Sequence, residues 1–382
     1  MNKTISPSAA ASVADRVYDI RKSTTFDNDF HVDFDRNFKI TNSQIQGISG
    51  GLVNQVLNRS TGFALTAEGV SPQFLNHHII GIRGTKFSSF ADWLTNLNVA
   101  VTLGPKNLEV HSGFQKAFSS MRPAFNQYIA KHNPSCLHVV GHSLGGAIAE
   151  LTAIWASARG IKTKLYTFGA PRVVLSNSIH SAAINVDHYR VTHGADPVPC
   201  VPVWPFTHTV GEYQTAMNGG SFFALSAHSM AKSAPGYVNT VNAYKDYSSM
   251  DSALKTLHYK HTVLKYEQRH NASFSQRWQQ IITDALITLL KKSGQYALIA
   301  GQAAASVGLS FYDLLARCLH ESIVRIPDAE EALRGLLGHM LVFVGRGTQA
   351  VKEMTVKFIR WVLGLMIKTL YTTAKQAIER IF

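Results

Sequence analysis

Four short apolar runs punctuate the first 250 residues of the chain, and each of them ends in a turn. These runs are His77–Ile82, Leu137–Val140, Lys164–Phe168 and Tyr189–Thr192. Stretches with a helical pattern lie between them, for example Gly113–His132 and Gly146–Ala158. Strands that alternate with helices predict a mostly parallel sheet with helices on both faces. Functional residues of such sheets lie at the carboxyl ends of the strands, so the turns after the runs are the first candidates.

The pattern changes near residue 250, where long helical segments replace the short runs. Before this point Gly, Pro, Asn and Ser recur between runs rich in Val, Ile, Tyr and Phe. After it, few turn signals interrupt the helical spacing. We therefore predict an α/β domain over residues 1–250 and a helical region over residues 251–382.

Composition narrows the class of protein. Hydrophobic residues make up 46% of the chain and charged residues 16%, which excludes a disordered chain. The three cysteines, Cys136, Cys200 and Cys318, are too widely spaced for a disulfide framework or a CxxC-type zinc site. We read them as ordinary thiols and expect no bound metal. The net charge of +13 favours an anionic partner, either nucleic acid or an acidic lipid surface.

The segment GHSLGG at residues 141–146 carries the clearest chemical signal. It follows a strand of buried type and opens an alanine-rich helix, which is the context of a nucleophile elbow. Such a turn presents a serine, here Ser143. The flanking Gly141 and Gly145 are needed because a side chain there would strike the neighbouring strand or helix. The start of the helix places the amide of Leu144 beside Ser143, where an oxyanion would form.

Four blocks in chain order, of which the elbow is one, resemble the class 3 lipases, the fungal-type branch of the α/β-hydrolases. The blocks are Ile82–Thr85 with Asp92–Leu94, Val110–Phe114, Gly141–Gly146 with Thr167–Arg172, and Asp196–Pro199. The resemblance spans roughly residues 60–240. It implies an α/β-hydrolase fold with a mostly parallel central sheet, to which the helical C-terminal region is an extension. It also implies a serine esterase that needs no cofactor.

A serine nucleophile needs a base and an acid, and in α/β-hydrolases the acid and then the histidine follow the serine along the chain. Asp196 stands on a loop after the run that ends at Thr192, so we expect it to be the acid. The later histidines His208 and His228 are both candidates for the base. The resemblance favours His228, because class 3 lipases carry the catalytic histidine as His-Ser-Met or His-x-x-Tyr before the last helix. His208 remains the alternative, since the family's tyrosine is displaced here to Tyr237.

The resemblance also implies an oxyanion hole and a lid. Thr85, carried over from the family, pairs with the amide of Leu144 in the oxyanion hole. The candidate lid residues share helical spacing and are Phe87, Phe90, Trp93 and Leu94. In a soluble helix this spacing is a core face, whereas in a lipase the same face covers the serine and turns outward on lipid. Both interpretations stay open at this point.

The C-terminal region is basic. Residues 332–382 hold eight Lys or Arg and two Glu, a net charge of +6. On a helical wheel the apolar side holds Val351, Met354, Phe358, Trp361, Val362, Leu365 and Met366. The polar side holds Lys352, Glu353, Lys357, Arg360, Lys368 and Lys375. This distribution suits either an anionic bilayer or a helix packed on the hydrolase domain. The uncharged stretch Ser293–Tyr312 is diluted by glutamine and glycine, so a buried helix pair is favoured over a membrane span.

The sequence thus predicts a serine esterase that acts on membrane lipids, most simply a phospholipase A, with an anionic membrane surface as partner. The alternatives are a triacylglycerol lipase or small-ester hydrolase whose tail is only structural, and an inactive lipase-like binding module. The basic helical tail and the lack of a signal-peptide pattern resemble antibacterial lipase toxins. That resemblance implies a chain that is cytoplasmic in its producer, exported by a non-classical secretion system and held in check by an immunity protein. Nucleic acid is not expected, because charge alone suggests it and no motif supports it.

Overall fold

A computed structural model describes residues 3–21, 30–48, 60–84, 101–176, 178, 185–209, 213–217, 222–233, 235–253, 263–302 and 311–381. The strands in these ranges are β1 (Phe38–Ile48), β2 (Ser60–Gly69), β3 (His77–Ile82), β4 (Val101–Leu103), β5 (Glu109–His111), β6 (Cys136–His142), β7 (Lys162–Phe168), β8 (Val174–Leu175), β9 (Asp187–His193), β10 (Phe206–Thr207) and β11 (Tyr213–Met217).

The α-helices in the same ranges are α1 (Pro7–Arg16), α2 (Val32–Asn37), α3 (Ser112–His132), α4 (Leu144–Ser157), α5 (Tyr237–Val241), α6 (Tyr247–Ala253), α7 (Gln276–Lys292), α8 (Tyr296–Gln302), α9 (Phe311–Arg325), α10 (Ala329–Phe343) and α11 (Val356–Glu379). Short 3₁₀ turns join several of them, and the turn Leu225–His228 matters most for the site.

The central sheet of the described residues has seven strands in the order β1-β2-β3-β6-β7-β9-β11. Strands β1 and β2 pair antiparallel with their neighbours, and every pair from β3 to β11 is parallel. The four apolar runs of the sequence are β3, β6, β7 and β9. The predicted α/β-hydrolase fold with a mostly parallel sheet is confirmed. The antiparallel edge formed by β1 and β2 was not predicted from the sequence.

The sheet is buried on both faces, which explains why its inner strands read as continuous apolar runs. Val139 and Leu165 enter one hydrophobic core together with α3, α4 and the C-terminal helices. The next residue along each strand, Val140 and Tyr166, enters a second core with α1, α5 and α6. This alternation follows from the two-residue period of a strand.

Helix α1 covers the second face at close range. Ser6 caps its first turn by accepting a hydrogen bond from the amide of Ala9, and proline begins the helix. Its alanines, such as Ala10 and Ala14, are fully buried. Small side chains allow the helix to lie close to the sheet, and a Cβ on Gly81 of β3 would clash with Val13.

The C-terminal helices complete the first core. Trp204, in the loop after β9, packs against Phe311 of α9 with ring centroids 5.4 Å apart. Arg172, after β7, donates a hydrogen bond to Gln279 of α7 at 3.2 Å. The helical C-terminal region is confirmed, whereas the domain boundary near residue 250 stays a prediction. None of the described helices is both long enough and apolar enough to cross a lipid bilayer.

The buried face of α11 differs from the apolar face expected from the sequence. The helix starts only at Val356, with Thr355 as its N-cap, so Val351 and Met354 precede it. Its buried face consists of Ile359, Val362, Leu363, Met366, Ile367, Leu370, Tyr371, Ala374, Ala377 and Ile378. Trp361 is 39% exposed, and Phe358 and Leu365 are half-buried. The expected wheel was therefore wrong by part of a turn, because tertiary contacts select the side that faces the protein.

Leu370→Ala tests whether α11 is part of the folded core. Leu370 is fully buried, so its truncation should lower the free energy of unfolding by about 2–5 kcal/mol. Thr372→Ala, at an exposed position two residues further along the same helix, should change it by less than about 0.5 kcal/mol. Urea titration followed by circular dichroism measures both. Equal stability of the two variants would mean that α11 does not belong to the cooperative core.

Candidate active site

Ser143 lies on the sharp turn between β6 and α4. Its backbone angles are φ 57° and ψ −132°, a conformation that non-glycine residues rarely adopt. The amide of Ser143 donates to the carbonyl of Phe168 at 3.0 Å, and the amide of Gly146 donates to the carbonyl of Ser143 at 2.9 Å. These bonds hold the strained turn at the carboxyl end of the sheet.

The glycines on either side make this turn sterically possible. A Cβ on Gly141 would overlap the carbonyl of Gly145. A Cβ on Gly145 would overlap the carbonyl oxygen of Ile82 at the end of β3. The start of α4 therefore lies directly against the ends of β3 and β6, as the sequence motif requires.

Ser143, His228 and Asp196 form a continuous hydrogen-bonded chain. His228 Nδ1 lies 2.7 Å from Asp196 Oδ2, and His228 Nε2 lies 2.7 Å from Ser143 Oγ. All three residues are buried, with Ser143 only 2% exposed. Because the carboxylate accepts the Nδ1 proton, Nε2 is left to accept the proton of the serine hydroxyl. The structure thus brings together the serine, the acid and the favoured histidine of the sequence analysis.

His208, the alternative base, has a different environment. Its Nε2 donates to the carbonyl of Pro199 at 2.9 Å. Burial, together with the charges of Arg190 and Arg172, lowers the pKa of His208 well below its usual value. The side chain therefore ties down the loop after Asp196, whereas the contact to Ser143 is made by His228.

The Asp196 carboxylate has further partners besides His228. Its Oδ1 accepts a hydrogen bond from the amide of Val198 at 2.9 Å, within its own loop. Its Oδ2 also accepts the hydroxyl proton of Tyr237 at 2.7 Å. Tyr237 in turn stacks on His193 with ring centroids 4.0 Å apart. These donors satisfy the buried carboxylate and fix its orientation.

The 3₁₀ turn that carries His228 is held by two other histidines. His193, the last residue of β9, donates from Nδ1 to the carbonyl of Ala227 at 2.7 Å. His142, the last residue of β6, donates from Nε2 to the carbonyl of His228 at 2.9 Å. Burial lowers the pKa of both side chains, so each ring is neutral and has one donor and one acceptor nitrogen. Two consecutive carbonyls are thereby fixed to the sheet.

The acceptor nitrogens of these two rings are also used. Tyr18 donates its hydroxyl to His142 Nδ1 at 2.9 Å, and Thr240 donates to His193 Nε2 at 2.9 Å. The sequence alone assigned no role in the site to His142, His193 or Tyr18. A usable signal existed for the histidines, since each is the last residue of a parallel strand. No local pattern marks Tyr18. It lies in a 3₁₀ turn 124 positions before His142 in the chain and contacts the site through that histidine.

The amide of Leu144 is the first in α4, where backbone N–H groups have no intrahelical acceptor and the helix dipole favours an anion. Thr85 and the candidate lid residues Phe87, Phe90, Trp93 and Leu94 lie outside the described residues. Arg83, just before them, is fully buried with its guanidinium 5.3 Å from the centre of the Phe63 ring.

This arrangement has the groups that nucleophilic catalysis by a serine needs. The serine supplies the nucleophile, the histidine accepts and returns a proton, and the aspartate stabilises the imidazolium ion between the two transfers. The strained turn presents the hydroxyl at a helix N-terminus that can stabilise an oxyanion. These are the parts that acyl transfer requires.

Comparisons with known proteins agree with the geometry. The family described as Lipase (class 3) matches residues 79–206, which include Ser143 and Asp196 but end before His228. The "Secreted mono- and diacylglycerol lipase 1" of Fusarium solani is 34% identical over 150 residues, which cover 35% of this chain and 43% of that protein. The "Secreted mono- and diacylglycerol lipase LIP1" of Malassezia globosa is 30% identical over 168 residues, 41% of this chain and 52% of its own length. The chain thus spans about half of these relatives, or less.

Among solved structures, a lipase–propeptide complex from Rhizomucor miehei is similar at 22% identity with a TM-score of 0.42, over 55% of this chain and 67% of that chain. The matched range includes the residues that form the strained serine turn, the strand after it and the acid loop. Over residues 79–206 the chain therefore matches the class 3 lipase family.

Proposed function

We propose that this protein is a serine hydrolase of carboxylic esters and that its substrates are acyl esters of lipids. The main support for this proposal is the buried series of hydrogen bonds from Ser143 through His228 to Asp196, in which both contacts are 2.7 Å long. Similarity to secreted mono- and diacylglycerol lipases supports the class of substrate.

The reaction begins when Ser143 Oγ attacks the ester carbonyl while His228 Nε2 takes up the hydroxyl proton. The tetrahedral oxyanion accepts a hydrogen bond from the amide of Leu144, and the Asp196 carboxylate stabilises the imidazolium of His228. His228 then protonates the departing alcohol, and an acyl ester of Ser143 remains. In the second half, water attacks this ester by the same route and the free fatty acid leaves.

Membrane phospholipid is the substrate we favour. Phe358, Trp361 and Leu365 share one side of α11 and are exposed or half-buried, with Lys357 and Lys368 exposed next to them. An apolar strip flanked by lysines fits the interface of an anionic bilayer. The opposite side of the same helix is packed on the core, so lipid binding would not require the helix to leave the protein.

Helix α11 also approaches the site. Its end, at Ala377 and Arg380, lines a cavity of about 220 Å³ together with Leu225 and Ser229, which belong to the His228 turn or adjoin it. Helix α11 has 24 residues and is therefore about 36 Å long, which places Trp361 and the His228 turn near its two ends. One helix therefore joins the proposed lipid-binding strip to the turn that carries His228.

Mono- and diacylglycerols are the second candidate class of substrate, because the relatives from Fusarium solani and Malassezia globosa are named for them. Such neutral lipids carry no head-group charge, so the lysines of α11 would contribute nothing to their recognition. Hydrolysis of phosphatidylglycerol vesicles and of diacylglycerol emulsions, with products identified by mass, compares the two classes directly.

Ser143→Ala and His228→Ala should lower kcat for a short soluble ester by the same factor, on the order of 10⁴–10⁶, since the two groups act as one unit. His208→Ala should retain activity within about tenfold, because its bond to Pro199 supports only the loop. Kinetic assays of the three purified variants, with circular dichroism to verify folding, measure the difference. An inactive His208→Ala beside an active His228→Ala would reverse the assignment of the base.

Tyr237→Phe should lower kcat about tenfold and leave KM nearly unchanged. The substitution removes one donor from the Asp196 carboxylate, which then holds His228 less firmly in the transition state. Tyr247→Phe is the matched control, because Tyr247 is also buried but packs against Tyr189 in a tilted arrangement, with ring centroids 4.6 Å apart. Equal kcat for Tyr237→Phe and the wild type would show that the tyrosine only fills space.

Replacing both Lys357 and Lys368 with Gln should weaken binding to phosphatidylglycerol vesicles about 30-fold, since each basic residue near an anionic surface contributes about 1 kcal/mol. Lys116 and Lys131, exposed on α3, provide a control of equal charge change that should leave binding nearly intact. Vesicle sedimentation at low and high salt measures the effect. Soluble-ester hydrolysis should be unchanged in both double variants. Equal vesicle binding by both would refute the membrane role of α11 and leave the esterase proposal standing.

A further inference from the structure

A cluster of three potential metal ligands lies where the parallel strands begin, at the end of the sheet opposite Ser143. His77 is the first residue of β3 and Cys136 the first of β6, and the parallel register pairs them directly. His138 follows Cys136 by two positions, so the two side chains are on the same face of the strand. Parallel strands begin together at one edge and end together at the other. The cluster is therefore separated from the Ser143 turn by the full length of β6.

The ligand atoms are already close to one another. His77 Nδ1 lies 3.0 Å from His138 Nε2, and Cys136 Sγ lies 3.8 Å from the same nitrogen. All three atoms fall within 4.8 Å of one another. Tetrahedral zinc, with bonds of about 2.0–2.3 Å to nitrogen and sulfur, holds such atoms about 3.3–3.6 Å apart. Small side-chain adjustments would therefore place all three around one ion.

The surroundings of His138 also fit a ligand. Its Nδ1 lies 3.0 Å from the hydroxyl of Tyr166, which accepts a second hydrogen bond from the amide of Ile5. A histidine that binds metal through one nitrogen usually donates the other N–H to an oxygen acceptor, and the Tyr166 hydroxyl oxygen can accept it here. The rings of Phe38 and Phe74, with centroids 6.0 Å from that of His138, form an apolar wall beside it.

The protonation states are compatible with an incoming ion. Burial and the nearby Lys162 and Lys164 lower the pKa of His77, and burial above all lowers that of His138, so both rings are neutral near pH 7. Burial raises the pKa of Cys136 to about 11, so the thiol is protonated in the free cluster. Binding would form a metal–sulfur bond and release this one proton to solvent. Lys164 is itself paired with Asp187 at 2.7 Å, which reduces the positive field at the cluster.

We propose that His77, Cys136 and His138 bind one thiophilic transition-metal ion of the Zn²⁺ class. A thiolate and two imidazoles are the donors that Zn²⁺ prefers. Three protein ligands leave a fourth position for water, which can enter beside the half-buried His77. The ion would connect the first residues of β3 and β6 and brace the sheet at the edge remote from the esterase site.

Titration of the reduced, tag-free full chain with Co²⁺ tests the site, because a Co²⁺–thiolate bond has a near-ultraviolet charge-transfer band. We expect one Co²⁺ per chain with this band, displacement by Zn²⁺, and no displacement by Mg²⁺. Cys136→Ala and His77→Gln should lose the band. The matched controls Cys318→Ala, also at a buried cysteine, and His270→Gln, at an exposed histidine, should keep it.

Tyr166→Phe adds a measurement of the surroundings, and it should weaken Co²⁺ binding about 10–100-fold without removing the band. If Cys136→Ala does not fold, His77→Gln decides alone, because its side chain is half-buried. Absence of the band in the wild type, or an equal band in His77→Gln, would overturn the proposal and leave His77 and His138 as a hydrogen-bonded pair. Soluble-ester hydrolysis by His77→Gln should match the wild type, so the result is independent of the esterase assignment.

Discussion

The contact between His228 and Ser143 depends on a 3₁₀ turn that is not part of the sheet and must be held against it. Two neutral histidines at strand ends, His142 and His193, donate to the last two carbonyls of that turn. Tyr237 stacks on one of them and donates to Asp196. Burial keeps both supporting histidine rings neutral. It also strengthens the hydrogen bonds that these rings donate.

Histidines lie at both ends of the parallel strands of the central sheet, and their surroundings give them different properties. At the carboxyl ends of the strands, the Asp196 carboxylate can stabilise a transient positive charge on His228. At the amino ends of the strands, His138 lies buried among aromatic rings near Lys164, and its imidazole stays neutral. Neutral imidazole is the form that binds metal. The difference arises from neighbouring charges and from burial, not from the histidines themselves.

The C-terminal helices connect stability to the site. Helix α11 packs its buried side on the core that contains Trp204 and the loop after Asp196, and its end adjoins the His228 turn. The same helix keeps Trp361 and two lysines exposed. The sequence alone allowed this helix to be either a packed brace or a lipid-binding surface. In the folded chain the buried side of α11 packs on the core and the proposed lipid-binding side lies opposite it, so the two interpretations are compatible.

The local sequence by itself determined the inner strands, the strained turn at Ser143 and the glycines around it. The reason is that the steric limits of the backbone and the spacing of apolar residues act over only a few positions. Chain order and motif singled out Asp196 and His228. Only the tertiary structure decided that His142, His193 and Tyr18 support the site and which side of α11 is buried. It alone brought His77 next to Cys136, 59 positions further along the chain. These outcomes depend on strand register and on packing between distant segments, and no local pattern contains that information.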